Sequence, residues 1–309
     1  MPLADSAEIR TVLKHLFPGI VFDSNALASG QRLVYFCHFA QCQDAPPVQE
    51  QWSAWGNVVL KVSEDVHPSV IARLEKEREI LNEINSRYYP RLLYHDVFRD
   101  DPVTDTKFKY RLFVTIEERI CGVPLDGCRE RFTTEASILS LLKHLVEGLT
   151  LLWAHQQKII HRDLKPANII IRDDNCPVVI DLGIVREEGS AGLTGTHWNM
   201  GPCTPAYASS EQLKNQKRLI TFKADFFSLG VIVYELLTGK NPFVESPHEP
   251  VEFVVNRALT EHPKSLFELG LASRPFSDLV ETMMAKEPYM RPRTVEILAR
   301  ELQRLGEVQ

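Results

Sequence analysis

The sequence lacks a long apolar run and an excess of positive charge. Its longest apolar run, LGVIVYELL, is too short to cross a bilayer. The opening residues, MPLADSAEIRTVLKHLF, have no apolar core before a cleavage site, so we expect neither a signal peptide nor a membrane span. Lys and Arg total 35 against 41 Asp and Glu, and this net charge of −6 argues against nucleic acid or an anionic membrane as the main partner.

Paired cysteines are also lacking. The six cysteines are scattered without any CxxC pair, at Cys37, Cys42, Cys121, Cys128, Cys176 and Cys203. Such scatter is typical of reduced thiols in a cytoplasmic protein and argues against a disulfide or metal framework. The sequence also has no internal repeat and no low-complexity segment.

Glycine is scarce in LASGQRLVYFCHF, residues 27–39, where Gly30 is the single glycine. The segment predicts a strand, a tight turn at Gly30 and a second strand. Apolar residues occupy both alternating sets of positions in the second strand, so we expect it to be buried on both sides. A turn between strands can bind a phosphate when several glycines let backbone N–H groups approach it. Because this turn has a single glycine, it does not by itself decide whether the chain binds a nucleotide.

The order of predicted elements indicates an α+β protein with two unequal lobes. A helix that starts with a capping box at Asp5 and Glu8 ends before Pro18. A strand-rich stretch with one helix, HPSVIARLEKEREILNEIN, follows, and from Thr133 onward the pattern is mostly helical. We therefore divide the chain into an N-terminal helical extension, a small mainly antiparallel β lobe, a hinge and a larger helical lobe, at residues 1–19, 20–118, 119–122 and 123–309.

Two segments leave alternatives open. The insertion at 43–57 contains Trp52 and Trp55, which either fold back on the small lobe or form a patch for a regulatory partner. The apolar side of the N-terminal helix likewise either packs on its own lobe or docks to such a partner.

The stretch IIHRDLKPANIIIRDDNCPVVIDLGIVR concentrates polar groups between short apolar runs. Asp163, Lys165, Asn168 and Asp181 lie where these runs begin or end, which places them at a strand edge. Carboxylate and amide oxygens there are suited to hold Mg²⁺, with a cation near a phosphate. The alternative is a hairpin with ordinary polar turns, which the convergence of four polar groups disfavours.

This stretch resembles the catalytic and metal-binding loops of the protein kinase superfamily. Its motifs resemble most those of the bacterial, Hanks-type serine/threonine kinases. HRDLKPAN is similar to the catalytic loop, and DLG stands where DFG is usual. Further similar motifs follow the family's order between residues 27 and 292, namely VVLK, LEKEREIL, CTPAYASSEQ, ADFFSLGVIVYELLTGKNPF and KEPYMRP. The resemblance implies the bilobal kinase fold.

The resemblance also implies roles for the four polar residues. Asp163 would accept or orient the proton of the substrate hydroxyl, and Lys165 would neutralise the γ-phosphate of ATP. Asn168 and Asp181 would hold Mg²⁺, with Mn²⁺ as a substitute.

ATP binding is assigned to the small lobe in the same way. Lys61 would bind the α- and β-phosphates and be held by an ion pair with Glu77. The backbone from Glu118 to Ile120 would read the adenine, which puts Glu117 at a position that is usually apolar.

The glycine-poor turn corresponds to the family's phosphate-binding loop. Ala28 and Gly30 take the first two glycine positions, and Val34 would cover the adenine. Arg32 either places its guanidinium over the β- or γ-phosphate or points into solvent.

The remaining motifs imply acceptor type and regulation. Lys165 and Thr204 indicate that the residue that accepts the phosphate is serine or threonine rather than tyrosine. Thr204 would hydrogen-bond near Asp163 and Lys165. Arg162 beside Asp163 suggests control by a phosphate on the activation segment, where we expect autophosphorylation at Thr194 and Thr196.

Three residues are assigned structural roles by the resemblance. Glu211 and Arg291 would form a buried ion pair, and Asp225 would bond the backbone of the catalytic loop. The sequence departs from the usual pattern at three positions that carry no catalytic group, namely Leu182 for phenylalanine, Ser210 for proline and Cys203 for glycine.

These assignments predict an ATP-dependent serine/threonine protein kinase in the cytoplasm, with protein substrates. Two other functions remain open, a pseudokinase that acts as a binding module and a kinase of a small molecule. The complete set of charged catalytic positions disfavours the first, and the CTPAYASSEQ segment disfavours the second.

Overall fold

The computed structural model describes residues 4–29, 32–40, 52–64, 68–182, 186–187 and 203–307. The chain divides into two compact units, unit 1 at Met1–Ile120 and unit 2 at Cys121–Gln309. The boundary lies inside the segment 119–122 that the sequence predicts as a hinge.

In its described residues, unit 1 is built on an antiparallel sheet accompanied by helices. Its elements are α1 (Ala7–Leu16), β1 (Ile20–Phe22), β2 (Leu27–Ser29), β3 (Arg32–Phe39), β4 (Asn57–Glu64), α2 (Pro68–Glu83), β5 (Leu92–Asp100) and β6 (Lys107–Glu118). The strand order is β1-β3-β4-β6-β5, and β2 pairs with β3. The two strands predicted on either side of Gly30 are therefore present as β2 and β3, whereas the predicted turn at Gly30 lies outside the described residues.

Strand β3 differs from the expectation of burial on both sides. Leu33, Tyr35, Cys37 and Phe39 are buried, whereas the residues between them are only half-buried. An antiparallel strand at this place in the sheet covers the core with one face only, so apolar residues such as Val34 remain partly exposed on the other.

Helix α1 packs into the core of its own unit. Ile9, Leu13 and Leu16 are buried in the cluster that includes Leu33 and Tyr35. The helix is capped by Ser6, whose hydroxyl accepts from the Ile9 N–H at 3.3 Å, not by Asp5 as predicted. The Asp5 carboxylate does not cap the helix because it accepts hydrogen bonds from the side chains of Arg10 and Tyr35 instead. The apolar side of α1 is thus used inside unit 1, the first of the two alternatives.

Both tryptophans of the 43–57 insertion also fold back on unit 1. The Trp52 ring lies 5.5 Å from Phe17 and 5.6 Å from Phe39, between ring centroids. Trp55 contacts Phe39 and Tyr94. Residues 43–51 of this insertion lie outside the described residues.

Unit 2 is mainly helical. Its α-helices are α3 (Glu135–Trp153), α4 (Ser210–Leu213), α5 (Lys223–Thr238), α6 (Val251–Thr260), α7 (Arg274–Met283) and α8 (Val295–Glu307). The strands among the described residues of unit 2 are short, namely β7 (Val123–Pro124), β8 (Ile159–Ile160), β9 (Ile169–Ile171), β10 (Pro177–Val179) and β11 (Arg186–Glu187). They form a β10-β9-β7 sheet and a β11-β8 pair.

Helices α3 and α5 form the centre of unit 2. Helix α3 starts at a capping box of Thr134 and Ser137. Within the described residues it is also the one helix long and apolar enough to cross a membrane, but 56% of that window is buried inside the protein. Helix α5 is apolar on nearly all sides, as a buried helix must be, and ends where Gly239 adopts a φ of 74°.

The predicted α+β class, with a small antiparallel unit and a larger helical unit, is confirmed. The cysteines in the described part of the chain are free thiols, at Cys37, Cys121, Cys128, Cys176 and Cys203.

Candidate active site

The loop between β8 and β9 carries the predicted catalytic residues and is held from below by Asp225. One carboxylate oxygen of Asp225 accepts from the His161 N–H and the Trp153 indole N–H, and the other from the Arg162 N–H, each at 2.9 Å. Asp225 is fully buried on α5. Burial raises its pKa, while these donors and His161 oppose the shift.

These bonds offset backbone strain in the loop. Arg162 has a φ of 71°, a left-handed conformation that costs a non-glycine residue about 1–3 kcal/mol. Its N–H is fixed by Asp225, and its carbonyl accepts from the Gln212 side chain at 2.8 Å. The predicted contact of Asp225 with the loop backbone is therefore present.

Asp163 is the centre of the site in unit 2. Its Oδ1 accepts from the Thr204 hydroxyl at 2.6 Å and from the Thr204 N–H at 3.0 Å. Its Oδ2 accepts from Lys165 Nζ at 2.9 Å and from the Asn168 amide at 3.3 Å. Lys165 also donates to the Thr204 hydroxyl oxygen at 2.9 Å. The structure thus brings together four residues that are up to 41 positions apart.

Asn168 and Asp181 lie at the ends of the β9–β10 hairpin. Asn168 donates its amide to the Asp163 carbonyl at 2.9 Å, which leaves its Oδ1 as an acceptor. Asp181 follows β10, with the half-buried side chain expected of a group that water and ions can reach. An amide oxygen and a carboxylate are hard oxygen ligands, so these two residues fit a Mg²⁺ ion.

The segment 203–213 joins Thr204 to the body of unit 2. Tyr207 donates its hydroxyl to Glu235, and its carbonyl accepts from Ser228 at 2.8 Å. Burial raises the pKa of Cys203 to about 11, so its thiol is protonated at neutral pH. Thr194 and Thr196, the predicted autophosphorylation sites, lie outside the described residues.

The predicted pair of Glu211 and Arg291 is present and fully buried. Arg291 Nη1 lies 2.7 Å from Glu211 Oε1, and its Nη2 lies 3.0 Å from Oε2. Arg291 also donates to the carbonyls of Ala285, Lys223 and Lys286. Ser210, which stands where proline is usual, donates to the same Lys286 carbonyl.

In unit 1 the predicted lysine–glutamate pair is part of a larger charged cluster. Lys61 Nζ lies 3.4 Å from Glu77 Oε1, and the same Nζ lies 2.7 Å from Glu117 Oε1. Arg32 forms an ion pair with the other oxygen of Glu77. Glu75 and Glu79, the neighbours of Glu77 on α2, are exposed.

Burial and charge act differently on the two glutamates. Burial raises the pKa of Glu77, but Arg32 and Lys61 outweigh burial and lower it to about 2. Burial also raises the pKa of Glu117, and the charge of Glu77 adds to the increase, while Lys61 opposes it. Glu77 is therefore held as a carboxylate.

Arg32 does not point into solvent, the second of the two orientations that the sequence left open. Its side chain is 13% exposed and forms an ion pair with Glu77. In the β3–β4 register Arg32 lies opposite Ser63, which is two residues from Lys61 on β4. Arg32 and Lys61 therefore lie on the same face of the sheet, and both form ion pairs with Glu77.

The other predicted ATP-binding positions occupy the sheet and its end. Ala28 is exposed on β2, and Val34 is half-buried on β3 opposite Lys61. Glu118 donates its N–H to the Arg91 carbonyl at 2.9 Å, and Ile120 is buried. Gly30 lies outside the described residues.

Sequence reasoning gave Glu117 no role. The sequence does show a charged residue directly after the mainly apolar segment FVTI, but the partner of Glu117 depends on the register between β4 and β6.

Comparison with known proteins identifies the family. The protein-family model described as Protein kinase domain matches residues 57–302. The serine/threonine-protein kinase PknL of Mycobacterium tuberculosis is 30% identical over 171 residues, which cover 55% of this chain and 41% of that protein. PknJ of Mycobacterium bovis is 31% identical over 189 residues, which cover 60% of this chain and 31% of that protein. Human serine/threonine-protein kinase 16 is 32% identical over 170 residues, with 52% and 53% covered.

The chain belongs to the protein kinase family, since the family match spans most of its length. The resemblance drawn from the motifs is thereby confirmed. The matched segments span 41% or less of the two mycobacterial relatives named above.

Proposed function

We propose that this protein is an ATP-dependent serine/threonine protein kinase. The observation that carries the proposal is the convergence of Lys165, Asn168 and Thr204 on the Asp163 carboxylate. The relatives named above, each called a serine/threonine-protein kinase, support the same acceptor type.

The residues of unit 2 account for the chemistry of transfer. The bond between the γ-phosphorus and the β–γ bridging oxygen of ATP breaks, a bond to the acceptor hydroxyl oxygen forms, and the hydroxyl proton passes to Asp163. Lys165 and the Thr204 hydroxyl keep the Asp163 carboxylate oriented before the acceptor arrives. Lys165 also places a positive charge near the transferred phosphoryl group, where negative charge must be neutralised.

Asn168 and Asp181 would hold the metal ion through Oδ1 and a carboxylate oxygen. Bound Mg²⁺ supplies neutralisation of charge on the phosphate oxygens, and Mn²⁺ offers the same chemistry. In unit 1, Lys61 would bind the α- and β-phosphates, and the carboxylates around it hold its ammonium in place.

Autophosphorylation is the finer part of the proposal. A phosphate on Thr194 or Thr196 would pair with the guanidinium of Arg162, the residue before the proposed catalytic aspartate. Arg162 is only 8% exposed.

The test is transfer of labelled γ-phosphate from ATP to casein by the purified full chain. We expect incorporation that Asp163→Asn abolishes and that Asp173→Asn, an exposed change in the nearby β9–β10 turn, leaves intact. Absence of transfer by the parent, with nucleotide binding retained, would favour the pseudokinase instead. Transfer to a small-molecule alcohol but not to protein would favour the third function.

A further inference from the structure

Unit 1 contains a cluster of four ionisable side chains, alternately basic and acidic, that are buried or nearly buried. Arg32, Glu77, Lys61 and Glu117 have side chains exposed by 13%, 6%, 12% and 4%. They come from four different elements, β3, α2, β4 and β6 in that order. The cluster therefore adds one basic and one acidic side chain to the lysine–glutamate pair that the sequence predicts.

The sheet register brings Glu117 to Lys61. Glu117 lies opposite Val59 on β4, and Lys61 is two residues further along that strand. Residues two apart on a strand share a face, so Glu117 and Lys61 are diagonal neighbours on one side of the sheet. Lys61 Nζ lies 2.7 Å from Glu117 Oε1, a close ion-pair contact, whereas the hydrogen bond that it donates to Glu77 Oε1 is 3.4 Å long, near the limit for such a bond.

The same geometry explains why Glu77 binds Lys61 weakly. Arg32 lies opposite Ser63 on β4, again two residues from Lys61 and on the same face. Its guanidinium occupies the second oxygen of Glu77, so the carboxylate is shared between two cations. Lys61 is correspondingly shared between two carboxylates.

We propose that Glu117 is a positioning residue that holds the Lys61 ammonium, because Arg32 forms an ion pair with one of the two carboxylate oxygens of Glu77. This inference rests on the proposed kinase function only for its consequence for catalysis. Loss of Glu117 releases Lys61, and loss of Arg32 returns Glu77 to Lys61, so the second change compensates for the first.

The experiment measures Lys61 itself, without nucleotide. A carboxylate beside an ammonium favours the protonated form, and only the neutral amine is acylated. Trace labelling with acetic anhydride at one fixed pH, read at Lys61 by peptide mass spectrometry, compares the parent with Glu117→Gln, Arg32→Met and the double variant. Glu117→Met is a second test of the same position, and Glu79→Gln is the control, since Glu79 is an exposed carboxylate on α2.

We expect Glu117→Gln and Glu117→Met to speed Lys61 acylation by about tenfold, and the double variant to return close to the parent rate. Glu79→Gln should match the parent. Parent-like acylation in both Glu117 variants, or no compensation by Arg32→Met, would overturn the inference. Since a general loss of stability is not repaired by a second core substitution, compensation separates positioning from folding.

Steady-state kinetics give the consequence for catalysis. Glu117→Gln should raise the KM for ATP by about tenfold with a smaller change in kcat, because Lys61 contacts the phosphates before and during transfer. An unchanged KM beside altered acylation would overturn the link to ATP binding. If the parent transfers no phosphate, the proposed function fails, and the acylation rates still decide the role of Glu117.

Discussion

The hydroxyl of Thr204 donates to Asp163 Oδ1 at 2.6 Å while its oxygen accepts from Lys165 at 2.9 Å. One side chain on the segment 203–213 thus orients both residues predicted to act in transfer. The consequence is that this segment and the catalytic loop must be in place together before Asp163 is correctly oriented.

Thr204→Val should therefore lower kcat by about 10–100-fold, since a lost hydrogen bond to a charged group is worth about 1.5–3 kcal/mol. Thr204→Ser keeps the hydroxyl and should retain most of the activity. Casein phosphorylation measures both. Equal activity of the valine and parent proteins would contradict a role for the hydroxyl.

Asp181→Ala removes one of the two proposed metal ligands. Transfer should fall to background with either Mg²⁺ or Mn²⁺, while the melting temperature stays near that of the parent because the side chain is only half-buried. The matched change Asp173→Ala, at an exposed turn position, should retain activity. Transfer by the Asp181 variant with either ion would refute the metal assignment.

Arg291→Ala leaves the Glu211 carboxylate buried without its partner. Breaking a buried pair in this way costs about 3–5 kcal/mol, so both the free energy of unfolding and the activity should fall. Arg293→Ala removes an exposed arginine two residues away and serves as the control. The double variant Glu211→Gln with Arg291→Met should be more stable than Arg291→Ala, because no charge is stranded. A parent-like denaturation curve for Arg291→Ala would show that the pair is not important for stability.

Glu77 should make folding stability depend on acid pH. Arg32 and Lys61 overcome burial and lower its pKa from 4.5 to about 2, so the folded protein binds fewer protons there than the unfolded chain. This contribution is present above pH 4.5 and is lost as the pH falls toward about 2. Denaturation at a series of pH values should show a shallower decline for Glu77→Gln than for the parent. Asp5, whose pKa is lowered mainly by a hydrogen bond from Arg10, stays in both proteins. Identical slopes would mean that Glu77 is not held as a carboxylate.

Autophosphorylation should appear at Thr194 or Thr196 after incubation with ATP and Mg²⁺. Mass spectrometry of the peptide EEGSAGLTGTHWNMGPC measures it, with Asp163→Asn as the inactive control. Replacement of both threonines by alanine should lower activity toward casein, because Arg162 loses its anionic partner. An active parent enzyme with this peptide unmodified would count against the prediction.

The predictions agree best with the structure where they concern residues that lie close together in the sequence. The catalytic residues from Asp163 to Asp181 lie within one short loop and hairpin, so their order in the sequence nearly determines their arrangement in space. The contacts of Asp225 and the Glu211–Arg291 pair are long-range, and the motif resemblance supplied them.

The sequence by itself determined the α+β class and the family, and it named the residues proposed to carry the chemistry, because these depend on residue type, order and periodicity. Only the tertiary structure decided that Ser6 caps α1, that β3 buries one face, and that Arg32 binds Glu77 while Glu117 binds Lys61. Each depends on which side chains meet across elements distant in sequence. Sheet register and the packing of α2 bring Arg32, Lys61, Glu77 and Glu117 together, and neither can be read from any one segment.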